Sequence, residues 1–296
     1  MDIGVVAGGY ANSAVQDTFC TGAACTISII YDQSANHNDL RPAPRGGAKG
    51  TPDNPAVATD LSTTLNAHAV YGVFIKNGMG YRAGCTGCGV VTPRGTATGD
   101  QPETMYMVTS QNGNQAGLTE GCCFDYGNAE TTSNDDGNGT MEALYFGGGV
   151  VWGTGSPGGH ANGPWVMADL ENGLYAGWQN NQDQNISTNT VLRLPFITAV
   201  LVGDTAAQNA GAGRFALYGG DATTGTLKTM YDGIRPAKAG YVPMRKQGSI
   251  ILGIGGDNSA TRNDGQWFEG VMASGAATVA TINLVQANIV AAGYGK

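Results

Sequence analysis

Charge is scarce in this 296-residue chain: Asp, Glu, Lys and Arg together make up only 13%. No basic cluster interrupts the acidic balance of 15 Lys and Arg against 23 Asp and Glu, a net charge of -8, which argues against a nucleic-acid partner. Long apolar runs are missing too. No stretch reaches the roughly 18 apolar residues of a membrane span, so no membrane partner is expected. The Met1-Asp-Ile-Gly start lacks the basic-then-apolar order of a signal peptide, although a leader removed on export leaves secretion open. Proline is low at 11 residues, and the 48 glycines follow no three-residue period, which argues against Pro-rich disorder and collagen. The three histidines, His37, His68 and His160, stand without ligand spacing; no metal, no cofactor and no His-based triad is expected. There is no Gly-x-Ser-x-Gly elbow of an esterase and no 20- to 50-residue repeat of a solenoid.

What is there is glycine for turns, with hydroxyl and amide side chains in place of charge. Short runs rich in Val, Ile, Tyr, Phe and Trp at 26–31, 70–75, 104–109, 141–146, 164–171, 191–202, 213–219, 249–254, 266–273 and 279–284 are bounded by Gly, Asn, Asp and Ser and predict strands. Only short helices are expected, around 54–66 and near 283–292. The fold class is therefore all-β, a β-sandwich, with no linker visible between residues 1 and 296. Residues 37–66, rich in Pro, Gly and Asn, predict a long surface loop over or beside one sheet, of the kind that shapes sites. Asn112-Gly, Asn172-Gly and Asp264-Gly fit hairpin turns.

Six cysteines fall into three local pairs, Cys20/Cys25, Cys85/Cys88 and the adjacent Cys122/Cys123. Only the 85/88 pair has zinc spacing, and no second such pair or nearby histidine completes four ligands, so disulfides are the favoured reading. A bonded Cys122-Cys123 would close an eight-membered ring and offer a rigid sulfur surface to a sugar; free thiols or a redox switch are the alternatives. Local disulfides, with acceptor patterns at Asn138-Gly-Thr and Asn185-Ile-Ser, point to an extracellular protein.

Chemistry is concentrated in two segments. Alternation along Trp165-Val-Met-Ala-Asp-Leu-Glu places Trp165, Met167, Asp169 and Glu171 on one side of a strand. Each negative charge there opposes ionisation of the other, which suits one carboxyl to proton transfer or nucleophilic attack, though two solvated acids are the plainer reading. The Asn172-Gly173 pair would turn the chain directly after Glu171. In Ile251-Leu-Gly-Ile-Gly-Gly-Asp-Asn-Ser an apolar strand ends at Gly255 and Gly256, which permit close ligand approach, and presents Asp257 as a candidate acid. An ordinary turn is the alternative. Trp152 and Trp165 are candidates for sugar stacking, with core packing at least as good a reading of Trp165; Asn172 could bond a sugar hydroxyl or only serve the turn. The run Phe124-Asp125-Tyr126-Gly-Asn-Ala-Glu130 could add polar contacts.

Taken together, Cys122-Cys-Phe-Asp-Tyr-Gly-Asn-Ala-Glu-Thr, Gly163-Pro-Trp-Val-Met-Ala-Asp-Leu-Glu-Asn and Gly253-Ile-Gly-Gly-Asp-Asn-Ser resemble the catalytic domain of glycoside hydrolase family 54 α-L-arabinofuranosidases. The likeness continues through Gln16-Asp-Thr-Phe-Cys, Ile29-Ile-Tyr-Asp-Gln-Ser, Tyr71-Gly-Val-Phe, Met141-Glu-Ala, Arg235-Pro and Glu269-Gly-Val-Met, covering almost the whole chain. It implies a β-sandwich resembling the concanavalin-like lectins and glucanases, and exo-acting, retaining hydrolysis of terminal arabinofuranose from arabinan, arabinoxylan and their oligosaccharides. It also implies Glu171 as nucleophile and Asp257 as general acid/base. Cys122, Cys123, Trp152, Asp169, Asn172 and Gly256 would line the sugar pocket. Cys20–Cys25 and Cys122–Cys123 correspond to family disulfides, while Cys85–Cys88 is an addition or variant. A single secreted, monomeric catalytic domain without the family's C-terminal arabinose-binding module is expected. The competing classes are a non-catalytic lectin-like module and a disulfide-stabilised adhesion domain.

Overall fold

Most of the aromatic and β-branched runs become strands of two facing antiparallel sheets. The computed structural model describes residues 1–112, 122–148, 163–179 and 188–296. In chain order the strands are β1 (Arg41–Pro42), β2 (Ser62–Leu65), β3 (His68–Tyr71), β4 (Val73–Ile75), β5 (Tyr81–Ala83), β6 (Glu103–Ser110), β7 (Asp125–Ala129), β8 (Glu142–Gly147), β9 (Trp165–Asp169), β10 (Leu174–Tyr175), β11 (Ile197–Gly203), β12 (Phe215–Asp221), β13 (Lys228–Gly233), β14 (Ser249–Leu252) and β15 (Gly265–Ser274). Helices are α1 (Ser13–Cys20), the single turn α2 (Gln208–Gly211) and α3 (Val279–Ala292). One sheet runs β1-β5-β14-β7-β8-β9-β10, the other β13-β12-β11-β6-β15-β4, and β2 and β3 form a separate hairpin.

Period-2 alternation decides which side chains meet between the sheets. Tyr126, Leu144, Phe146, Val166 and Ala168 of the first sheet share one buried cluster with Met105, Met107, Leu201, Phe215 and Leu217 of the second. At about 25 cal/mol per Å² of apolar surface, this shared face is the main favourable contribution to folding. The six-stranded sheet is covered on its outer side by α3, whose Ile282 packs with Val200, Val202, Ala216 and Tyr218, and whose Ile289 packs with Val108 and Ala222. The outer side of the seven-stranded sheet carries instead a run of carboxylates.

Several local expectations are corrected. Residues 279–284 open α3 rather than form a strand: the Thr278 hydroxyl caps Thr281 N, Gly293 closes the helix at φ 76°, and Ile282, Gln286 and Ile289 recur at helical spacing on its buried side. Residues 26–31 make only single bridges, Thr26 to Val57 and Ile30 to Leu40. No helix forms at 54–66, where Thr63 and Thr64 pair with Val70 and Ala69 in the β2–β3 hairpin. The 37–66 segment thus contains β1 and β2, yet its 43–49 stretch does lie beside the site: Ala48 N donates to Asp257 O (3.1 Å) and Gly47 N to Ser133 O (2.8 Å). Asp264-Gly265 leads into β15, whose partners are β4 and β6, so it makes no hairpin with β14. Asn112-Gly runs into residues outside those described.

Candidate active site

The carboxylate face is assembled from five places in the chain. Alternation brings Trp165, Met167 and Asp169 of β9 to the outer side, where Trp165 and Met167 pack with Cys123, Tyr145, Leu174 and Ala176. Trp165 is therefore buried, as the packing reading had it. Glu171 reaches the same floor by a different route from the expected one. The strand ends at Asp169, and Glu171 and Asn172 are the two central residues of a tight hairpin, with φ 61° and 58°. Leu170 N donates to Gly173 O (3.1 Å) to close it. The turn thus sits one residue earlier than Asn172-Gly173, and positive φ at both central positions is the signature of a type I′ hairpin.

Such a conformation costs about 1–3 kcal/mol for a non-glycine residue and persists when neighbours hold it. Here the holders are visible. Asp169 Oδ1 accepts from Glu171 N (3.0 Å), Tyr241 OH donates to Glu171 O (2.7 Å), and Asn172 Nδ2 donates to Asp135 Oδ1 (3.0 Å). Asn172 is exposed and Glu171 is buried.

β14 delivers the second half. After it, Gly255-Gly256-Asp257-Asn258 folds over the sheet, with Asn258 N donating to Gly255 O and Ser259 N to Asp257 Oδ1, each 3.0 Å. A Cβ on Gly256 would stand 2.0 Å from Glu130 Oε2 and 2.9 Å from Glu171 Oε2, so only glycine lets these carboxyls approach the backbone. A Cβ on Gly255 would be 3.4 and 3.5 Å from the sulfurs of Cys122 and Cys123, which makes the disulfide the adjoining part of the floor. Asp257 is half-buried. Cys20–Cys25, Cys85–Cys88 and Cys122–Cys123 are all bonded, and among the described residues no cysteine is free. The sulfurs and Asp169 lie close together, but bonded sulfurs offer a metal no thiolate.

Beneath the loop runs Arg82 of β5, fully buried. Its Nε donates to Ser249 Oγ (3.2 Å), one terminal nitrogen to Gly256 O (2.7 Å) and Asn258 Oδ1, and the other to Glu130 O. The guanidinium thus fastens the Gly256–Asn258 turn to the end of β7 through carbonyls and an amide. Burial lowers its pKa to about 10, against the opposing pull of Glu130, Asp257 and Glu171, so it stays charged at neutral pH.

Every buried acid here is pushed upward. Glu171 is raised by burial and then by the neighbouring Glu130 and Asp169 charges; Asp169 is raised by burial despite the Glu171 N–H that it accepts. Asp125 of β7 is raised well above the ordinary value by burial and by the neighbouring Asp169 carboxyl. Glu130 is raised by burial. Crowded, desolvated carboxyls cannot all ionise together, and such a set holds protons ready at neutral pH.

Arg82 and Tyr241 escape sequence reading, and Asp125 and Glu130 are legible only as polar contacts. The one available signal is that Arg82 stands between apolar Tyr81 and Ala83 in a chain poor in charge. Trp152 and Asn185 lie outside the described residues.

With this geometry, the sequence matches the family model described as "Alpha-L-arabinofuranosidase B, catalytic" over residues 1–295. The chain belongs to that family. A probable α-L-arabinofuranosidase B of Aspergillus terreus is 50% identical over 295 residues, 97% of this chain and 53% of the relative. An arabinofuranosidase/B-xylosidase of Trichoderma koningii is 48% identical over 299 residues, 99% and 54% of the two chains. Among solved structures, an arabinofuranosidase complexed with arabinofuranosyl-α-1,2-xylobiose has TM-score 0.85 at 44% identity, covering 99% of this chain and 56% of that one. A glycoside hydrolase family 54 α-L-arabinofuranosidase soaked with a cyclic sulfate inhibitor has TM-score 0.82 at 43% identity, covering 98% and 56%. The chain spans about half the length of the curated relatives it matches.

Proposed function

We propose that this chain is a retaining, exo-acting α-L-arabinofuranosidase, a glycoside hydrolase that removes terminal non-reducing arabinofuranosyl residues from arabinan, arabinoxylan or their oligosaccharides. The observation that carries this reading is that the Glu171 carboxyl closes on Gly256, the residue immediately before Asp257. This brings the Glu171 carboxyl beside the segment that carries Asp257, and retention calls for a pair of carboxyls about 5–5.5 Å apart. Glu171 attacks the anomeric carbon while Asp257 protonates the departing glycosidic oxygen, so the C–O bond breaks as an ester to Glu171 forms. Asp257, now ionised, takes a proton from water as that water attacks the anomeric carbon and releases Glu171. Asp169, Asn172, Gly256 and Trp152 bind the sugar, which rests on the Cys122–Cys123 disulfide. Arabinose-containing plant polysaccharides are then the partners.

On the same reading, residues 1–296 form one catalytic β-sandwich resembling the concanavalin-like lectins and glucanases. The protein acts as a monomer and is secreted, in keeping with three disulfides and with fungal relatives. Proton NMR of the first products from 4-nitrophenyl α-L-arabinofuranoside tests the activity and its stereochemistry. Initial release of the α-furanose is expected; initial β-furanose overturns retention, and arabinoside binding without release by folded, disulfide-intact protein would make the chain a lectin-like module.

A further inference from the structure

Glu130 has no role in the mechanism above, yet it is fully buried and shares the Gly256 face with Glu171. Two carboxyls so placed resist carrying two charges, so one of them must keep a proton if Glu171 is to attack as an anion. The surroundings say which. Thr140 Oγ1 lies 2.5 Å from Glu130 Oε1 and 2.6 Å from Gly137 O. A hydroxyl has one hydrogen, and two acceptors at these distances would leave one of them facing a lone pair. A proton on Glu130 Oε1 resolves this: Glu130 donates to Thr140, and Thr140 donates to Gly137 O. The Arg82 charge favours the Glu130 anion from nearby but makes no hydrogen bond to its carboxyl, going instead to Ser249, Gly256 O, Asn258 and the Glu130 backbone carbonyl.

We propose that Glu130 is a positioning residue whose carboxyl stays neutral beside Glu171, so that the negative charge of the pair resides on the nucleophile. This rests on the reading of Glu171 as nucleophile. The other charged groups facing the pair are Arg82 from β5, Asp135 from the β7–β8 connection, Asp169 from β9 and Asp257 after β14. All but Arg82 are acids, so a neutral Glu130 removes the repulsion closest to Glu171.

Glu130→Gln imitates the neutral carboxyl permanently. In infrared difference spectra at neutral pH, wild type minus E130Q should show one lost carbonyl band of a neutral carboxylic acid, and Thr140→Val, which removes the acceptor, should shift that same band. On 4-nitrophenyl α-L-arabinofuranoside, E130Q should lower kcat/KM by no more than about tenfold and leave the acidic limb of its pH profile within about half a unit of wild type. The proposal falls if no acid band is lost, or if the acidic limb drops by a unit or more, since Glu130 would then be charged in the active form. Should E130Q fail to fold, an unshifted wild-type acid band in T140V overturns the proposal equally. Labelling wild type with a cyclic sulfate and mapping the modified peptide separates the two readings. A label on Glu171 with a failed Glu130 test sinks only the present inference, whereas a label elsewhere sinks the nucleophile.

Discussion

Two clusters of buried carboxyls stand out among the described residues, and only one of them holds a cation in direct contact. At one end of the sandwich, Lys246 Nζ lies 2.7 Å from Glu142 Oε2 and 3.4 Å from Glu103 Oε1, while Asn128 Nδ2 donates to Glu103 Oε2 (3.1 Å). Burial pushes Glu142 up, but the Lys246 and Arg235 charges outweigh it and hold the group below the ordinary glutamate value. Glu103 stays raised by burial. On the outer face of the seven-stranded sheet, by contrast, Asp125, Glu130, Asp169 and Glu171 are buried together, and the Arg82 guanidinium near Glu130 and Glu171 bonds none of their side chains. A paired acid is a structural device; crowded acids whose carboxyls bond no cation destabilise the fold, and such groups gather where protons are held or moved.

The sharpest test of that contrast is Glu171→Gln, expected to lower kcat by about 10⁴-fold or more with the fold intact by circular dichroism. Full activity would remove Glu171 from the mechanism. Asp257→Ala should slow poor leaving groups by about 10²–10⁴-fold and the 4-nitrophenyl glycoside far less; equal losses on both would end its role as acid. To turn the paired region into a crowded one, Lys246→Met leaves two acids uncompensated and should cost about 3–5 kcal/mol in urea unfolding. A loss near zero would mean that the two regions do not differ as described.

The smallest effect runs the other way. An acid whose folded pKa is raised contributes stability below its unfolded pKa and loses it as pH rises toward the folded value, at about 1.4 kcal/mol per pH unit. Asp125→Asn removes one such group. Relative to wild type it should therefore gain about 1–3 kcal/mol between pH 4.5 and 7.5. A gain that shrinks with rising pH would show that Asp125 is ionised in the folded protein.

The strands β6, β9 and β15 are legible from sequence because each is a run rich in aromatic, β-branched and Met side chains. β7 is not, since Asp125-Tyr-Gly-Asn-Ala has the composition of a turn and is held in the sheet by β14 and β8 on either side. The Asp169/Glu171 pair and the Gly-Gly-Asp segment stand out because polar residues interrupt apolar runs. Their meeting at Gly256 depends on β14 and β9 being three strands apart in one sheet, which no local pattern encodes. Arg82 is invisible for the same reason, because its partners lie 48 to 176 residues away in the chain.

The hairpin that carries Glu171 has a design consequence. Its loop is two residues long and both neighbours, Leu170 and Gly173, are already paired, so the carboxyl is located by residue count. Widening substrate scope by lengthening this loop would change its turn class and carry the carboxyl off the floor. The 43–49 stretch lies outside the sheet register but holds Asp257 O through Ala48 N, so any graft there must keep that hydrogen bond.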